Sequence, residues 1–333
     1  MKQGTAVAVK IIATLSIAAL AGCAALTDRQ SDARVTAAER EFPPEGQFID
    51  VGGRKVHAVV RGEGPDVVLI HGAGGNAREF TFDFIDRLTD RYRVIVFDRP
   101  GLGFTDRTAD KYDSAFTTDA EGPEEQAAML QAAAAAIGAD APIVLGHSYG
   151  GSVALAWALN HPGNTAGVVN LAGPSHPWPG DLGAYYKVNG SVLGGAIVPP
   201  LISAFATDAR IEDAVTGIFT PQSVPDGYLD HIGATLTIRP ASFRANARQV
   251  NTLRPHIVAM SPRYAAELTM PIEILHGDLD TTVPLDIHSI PLKNAVPQAN
   301  LTVLEGVGHM PHHAEPQLVV DAIDRIAAQA GLR

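Results

Sequence analysis

Ile143-Val144-Leu145-Gly146-His147-Ser148-Tyr149-Gly150-Gly151 is the stretch on which the reading of this chain turns. A short β-branched run ends in a glycine. A serine follows two residues later, and another glycine two residues after that. This G-x-S-x-G spacing reads as a strand, a tight strained turn and a helix, with the hydroxyl held above the end of a sheet. Glycines on either side of the serine let the strand and helix backbones pass closely. The helix runs over residues 150–160 and is ended by His161-Pro162-Gly163.

Outward from this element the same alternation continues. Residues 48–51 and 55–60 are strand-like and split by Gly52-Gly53, a hairpin signal. Further short runs rich in Val, Ile and Leu stand at 66–70, 93–97, 142–145, 167–171, 271–275 and 300–304, as expected of strands buried on both faces of a parallel sheet. Between them, residues 124–137 carry the run 132–136 of alanines, a helix former. At the C-terminus Pro316 starts a helix with Leu318, Ala322, Ile323 and Ile326 on one face. Alternating strands and helices predict an α/β fold with a mostly parallel sheet flanked by helices. Residues 174–263 break the pattern. They hold Trp178, Tyr185, Tyr186, Phe205, Phe219, Tyr228 and Phe243 among many Gly and Pro, with helical patches and no convincing strand. They are expected to form an inserted helical cap between core segments 47–173 and 264–333.

With these motifs in order, the chain resembles the α/β-hydrolase superfamily, in its branch of capped esterases, C–C hydrolases, epoxide hydrolases and dehalogenases. His71-Gly72-Ala73-Gly74-Gly75 matches the H-G-x-G oxyanion loop, and Asp98 to Gly103 the D-x-x-G-x-G turn. Gly277-Asp278-Leu279-Asp280 matches the acid loop, and Gly308-His309-Met310-Pro311 the G-H-x-P loop. The chain order Ser148, Asp280, His309 is the order of this fold. The resemblance implies that Ser148 is a nucleophile, His309 its base and Asp280 the group that orients the base. A serine hydroxyl needs such a base at neutral pH, and the base needs an acceptor that fixes its tautomer. It also implies an oxyanion hole from the backbone N–H groups of Ala73 and Tyr149. Asp278 competes with Asp280, and His312 and His313 with His309. Asp98 is expected to bond turn amides, and His71 to orient the oxyanion loop.

Serine at 148, where dehalogenases and epoxide hydrolases place Asp, points to a serine hydrolase cleaving an ester-type small molecule through an acyl-enzyme. The alternatives are C–C bond cleavage or cofactor-free perhydrolase chemistry with the same three residues, and a non-catalytic lipid-anchored binding protein. The histidines lack a spacing such as H-E-x-x-H, so the reading calls for no metal and no cofactor.

Composition limits the rest. The 333 residues are 46% hydrophobic and 18% charged, enough for a sizeable core and too apolar for general disorder. Lys and Arg total 25 against 36 Asp and Glu, a net charge of -11, which excludes sequence-independent binding to nucleic-acid phosphates. Lys2, Lys10 and the apolar residues 11–20 form a short leader that ends in Leu20-Ala21-Gly22-Cys23. That ending resembles the lipobox of bacterial lipoproteins. It implies removal of residues 1–22, lipidation of Cys23 and attachment to the bacterial cell envelope, with Ala24 favouring an outer membrane. Cys23 is the one cysteine, so no internal disulfide forms. Residues 23–46 read as a tether, with a short helical pattern at 31–40. Oligomeric state has no signature in the sequence.

Overall fold

The computed structural model describes residues 2–333, with side chains from Ala21 onward. Eight strands form one sheet: β1 (Gln47–Val51), β2 (Arg54–Arg61), β3 (Asp66–Ile70), β4 (Arg93–Phe97), β5 (Ile143–His147), β6 (Gly167–Leu171), β7 (Ile272–Gly277) and β8 (Asn300–Leu304). Their order is β1-β2-β4-β3-β5-β6-β7-β8. β1 and β2 make the antiparallel hairpin and join β4 antiparallel, while all pairings from β4 to β8 are parallel. The period-two alternation of a strand sends Val67, Leu69, Val94 and Val96 to one face of the sheet, against Phe80, Phe84 and Ile323. Val68, Ile70, Ile95 and Phe97 face the other way, against Leu130, Val153 and Trp157. Both faces are covered, which is why the central strands read as unbroken apolar runs. β8 differs: it lies at the sheet edge, and Leu304 is its one buried residue.

Helix α1 covers Lys2–Glu41 and α2 covers Arg78–Thr81. The sheet is flanked by α3 (Pro123–Ala136) and α4 (Tyr149–Asn160), which pack on each other. Between β6 and β7 the chain is helical: α5 (Gly183–Gly190), α6 (Val192–Phe205), α7 (Asp208–Phe219), α8 (Tyr228–Ile232), α9 (Ala234–Thr237), α10 (Pro240–Met260) and α11 (Tyr264–Glu267). Helices α12 (Ser289–Ala295), α13 (Pro311–Ala314) and α14 (Pro316–Gln329) complete the core, α14 packing on β6 and β7 through Val319, Ile323 and Ile326.

The N-terminal region departs from the expected tether. Residues 23–41 continue α1, and its C-terminal part lies against α6 and α9. Ser31 and Ala38 are buried there. Arg34 donates to the Ala206 carbonyl at 2.6 Å, and Arg239 pairs with Glu39 at 2.7 Å. Small residues at 31 and 38 allow the close helix approach, and the polar composition read as a linker is the solvent face of that helix. The leader expected at 1–22 lies, apart from Ala21 and Gly22, outside the residues whose side chains are described. Cys23 is exposed.

Candidate active site

The turn after β5 holds Ser148 at φ 52° and ψ −124°, a region that costs a non-glycine residue about 1–3 kcal/mol and persists only where the surroundings enforce it. Here the Ser148 N–H donates to the Leu171 carbonyl at 2.9 Å. A Cβ at Gly146 would collide with the Gly150 carbonyl, and one at Gly150 with the Ile70 carbonyl. Both glycines of the motif are therefore steric requirements of strand and helix crossing at this point.

Three loops at the C-terminal ends of β5, β7 and β8 bring Ser148, Asp280 and His309 together. Ser148 Oγ lies 2.9 Å from His309 Nε2, and His309 Nδ1 lies 2.7 Å from Asp280 Oδ2. With Nδ1 donating to the carboxylate, Nε2 is the acceptor for the serine hydroxyl. All three residues are buried. Burial alone would raise the Asp280 carboxyl. Hydrogen bonds from His276 and His309 and the Val283 amide outweigh it and hold the group well below the carboxylate range. The Thr282 and Val283 N–H groups donate to Oδ1 at 2.8 and 2.9 Å. Burial, with positive potential from His147, lowers His309 below its ordinary 6.5 despite Asp280, so its free form is neutral near pH 7. Asp278 is exposed and accepts from the Gly306 N–H at 2.7 Å; it braces the loop and does not reach His309.

The loop after β3 faces the serine. A Cβ on Gly72 would sit 3.0 Å from Ser148 Cβ, so glycine keeps this approach open. The Ala73 and Tyr149 N–H groups have no acceptor among the described residues, as expected of donors that face a ligand. His71 lies behind the loop. It accepts from the Arg99 N–H at Nε2 and donates from Nδ1 to the Gly72 carbonyl, both at 2.9 Å. Burial and the Arg99 charge push its pKa down to about 4, so it is a neutral brace. Asp98 accepts from the Ala77 and Phe104 N–H groups at 2.6 and 2.8 Å and bonds His57 at 2.7 Å, a structural turn carboxylate.

A second buried network has no local signature in the sequence. His147 lies 2.7 Å from Glu79 through Nδ1 and 2.8 Å from the His309 carbonyl through Nε2. Position 147 is the variable residue of the motif, and nothing in the sequence marks Glu79, sixty-eight residues away, as its partner. Glu79, His147 and His312 bring ligand-type atoms within 4.8 Å of one another. Both His147 nitrogens are already engaged. His312 stands 3.5 Å from Glu79 but makes no hydrogen bond, and it is buried against the rings of Phe80, His147 and His313. Burial first, then the neighbouring imidazoles, hold His312 neutral. The cluster is thus a positioning network with one ring packed as a hydrophobe. His312 and His313 sit in α13, and His309 is the histidine bonded to Ser148 Oγ.

The cap closes over the serine and leaves a cavity of about 840 Å³. Ser148, His309 and Gly72 to Gly75 form its floor, and Leu201, Phe205, Ile211, Ile218, Phe219, Phe243 and Met310 are among the residues of its predominantly apolar wall. Cap side chains also grip the loops that carry Gly74 and Gly308. Asn246 Oδ1 accepts from the Gly74 N–H at 2.7 Å, and Thr237 donates to the Gly74 carbonyl at 2.6 Å. Gln222 accepts from the Gly308 N–H at 2.9 Å and donates to the Gly306 carbonyl at 2.7 Å.

Comparison with known proteins agrees with this fold. The chain is 27% identical over 278 residues to the pimeloyl-(acyl-carrier protein) methyl ester esterase of Vibrio vulnificus, covering 79% of this chain and 94% of the relative. It is 25% identical over 302 residues to the 2-hydroxymuconate semialdehyde hydrolase of Pseudomonas putida, covering 88% and 98%. The structure of a meta-cleavage product hydrolase from Pseudomonas fluorescens superposes with a TM-score of 0.67 at 22% identity, covering 86% of this chain and 99% of the other. The model of the alpha/beta hydrolase family matches residues 67–322. The chain belongs to the alpha/beta hydrolase family.

Proposed function

We propose that this hydrolase cleaves esters of apolar carboxylic acids through an acyl-enzyme on Ser148. The observation that carries the reading is the hydrogen-bonded series Ser148–His309–Asp280 at the floor of a largely apolar cavity. His309 Nε2 takes the hydroxyl proton as Ser148 Oγ attacks the ester carbonyl. Negative charge on the carbonyl oxygen is met by the N–H groups of Ala73 and Tyr149, where one lost donor typically costs about 2.7–4 kcal/mol of barrier. The imidazolium, held in register by Asp280, then gives its proton to the leaving alkoxide. A water deprotonated by His309 attacks the acyl-enzyme, and the acid and Ser148 are released.

C–C bond hydrolysis is the second reading, favoured by the identity to the 2-hydroxymuconate semialdehyde hydrolase. Such a substrate carries an ionised carboxylate, whereas Arg210 is the one Lys or Arg among the described wall residues and His147 is already paired with Glu79, so the wall favours an uncharged acyl group. A series of p-nitrophenyl esters from acetate to palmitate, run beside 2-hydroxymuconate semialdehyde, separates the two. The ester reading expects kcat/KM to rise with acyl length until the cavity is filled. Turnover of the semialdehyde with inert esters overturns it.

The N-terminus adds a location. Cys23 as the lone thiol, exposed and preceded by Leu20-Ala21-Gly22 and an apolar run, supports lipidation and attachment to the cell envelope. Two or more acyl chains hold stably, because each buried CH₂ contributes about 0.8 kcal/mol. Labelled-palmitate incorporation in bacterial cells, with Cys23→Ser as comparison, tests this. Equal membrane recovery of both forms with no label in wild type overturns it.

A further inference from the structure

Helix α6 is divided into two faces. Gly195, Pro199, Ser203 and Ala204 are buried. Leu193, Ile197, Leu201 and Phe205, spaced by four and so aligned along one side, are 71%, 57%, 43% and 61% exposed. On α5, Tyr185 and Val188 are more than half exposed as well. Residues 188–207 contain no charged side chain. Large apolar residues exposed singly are ordinary, but a contiguous stripe of them marks a contact surface. The two helices meet at 101°, and among the described residues no single helix is long and apolar enough to cross a membrane. The stripe therefore fits a surface that is entered shallowly and not spanned.

We propose that this stripe docks into the apolar boundary of a lipid bilayer, and that the cavity takes the acyl chain of an ester drawn from that bilayer. The docking surface stands apart from the catalytic reading; the substrate source rests on it. Two observations favour lipid over a protein occupant. Leu201 and Phe205 belong both to the exposed stripe and to the cavity wall, as does Tyr185 of α5. A protein seated on the stripe would cover that entrance, whereas a lipid surface continues into it. In addition, α1 packs along α6, with Arg34 bonded to Ala206. Cys23 thus belongs to the very helix that lies beside the stripe. With a net charge of -11, no cation on α6 and Lys187 of α5 paired with Asp181, the contact is apolar and does not depend on anionic headgroups.

The test uses the full chain carrying Cys23→Ser, with an environment-sensitive nitrobenzoxadiazole dye on Ile197→Cys or, as reference, on Val303→Cys at the sheet edge. Phosphatidylcholine vesicles are added with and without phosphatidylglycerol. The dye at position 197 is expected to brighten and shift to the blue with both vesicles, and the dye at 303 to stay unchanged. An equal response at both positions, no response at 197, or concentration-dependent self-association that buries 197 without vesicles overturns the proposal. In parallel, Leu193→Asp with Ile197→Asp, neither of which lines the cavity, is expected to lower hydrolysis of a vesicle-borne long-chain ester at least about tenfold. Hydrolysis of p-nitrophenyl acetate should be unaffected. Equal rates of wild type and variant on vesicles overturn the substrate source. A dye response with no ester hydrolysis by wild type would leave docking intact and remove the ester reading together with the substrate source that rests on it.

Discussion

His147 Nε2 donates to the backbone carbonyl of His309 across 2.8 Å, so the residue before the serine holds the main chain of the histidine opposite it. A carbonyl only accepts, which places a proton on Nε2. Nδ1 faces Glu79 at 2.7 Å. Burial opposes charge on either partner, yet their mutual attraction raises His147 and lowers Glu79, and both shifts favour an imidazolium–carboxylate pair. The pair lies under the oxyanion loop, with the Gly72 N–H 3.4 Å from Glu79.

One consequence is a pH effect. As the base of the proposed reaction His309 must be deprotonated, and burial together with the positive His147 keeps its pKa below 6.5. The acid limb of kcat/KM should therefore have its midpoint below the ordinary histidine value. His147→Gln removes the neighbouring charge and should move that midpoint upward. Glu79→Gln should act in the same direction, because it withdraws the support that keeps His147 protonated. pH–rate profiles of the three proteins on a short ester check this. An unmoved limb in both variants would mean that the pair is only packing.

The acid loop separates two aspartates. Asp280→Asn should lower kcat by roughly 10³-fold or more, as loss of the orienting carboxylate does in serine proteases. Asp278→Asn should have little effect on kcat and a small effect on stability, since Asp278 only braces Gly306. Steady-state kinetics and thermal melts of both decide it. The reverse order of damage would reassign the acid.

Much of this arrangement was legible in the sequence. The G-x-S-x-G turn, the glycines of the oxyanion loop and the G-H-x-P loop are dictated by backbone sterics at single positions, so local spacing reveals them. The central strands are legible because burial on both faces demands apolar runs. The Glu79–His147 pair, His276 beside Asp280 and the grip of Asn246 and Gln222 are contacts between distant segments with no local pattern. The tether expected at 23–46 is helical up to Glu41, which the sequence hides for a related reason. Its buried face is made of small residues, Ser31 and Ala38, and a helix that packs through small residues lacks the strong apolar stripe that marks most surface helices.

The cap contacts make their own prediction. Asn246→Ala and Gln222→Ala each free one backbone N–H, of Gly74 or Gly308, that the cap now holds. A typical hydrogen bond contributes about 0.5–1.5 kcal/mol, so each substitution should lower stability by about that amount. Looser loops should lower kcat more than they raise KM. A KM effect alone would mean that these residues act only on the substrate.

Gly146→Ala and Gly150→Ala should yield little folded protein, because each added methyl meets main chain and not a side chain that can move. Soluble yield and far-ultraviolet circular dichroism measure this. Either variant folding with wild-type stability would contradict the steric account of the turn.

The most direct test of the account is fluorophosphonate labelling followed by intact-mass and peptide analysis of the wild-type chain, Ser148→Ala and His309→Ala. The account predicts one adduct, on Ser148, absent in Ser148→Ala and formed far more slowly in His309→Ala, with the fold of all three unchanged by circular dichroism. Undiminished labelling of folded Ser148→Ala, or an adduct on any other residue of the wild type, would contradict it.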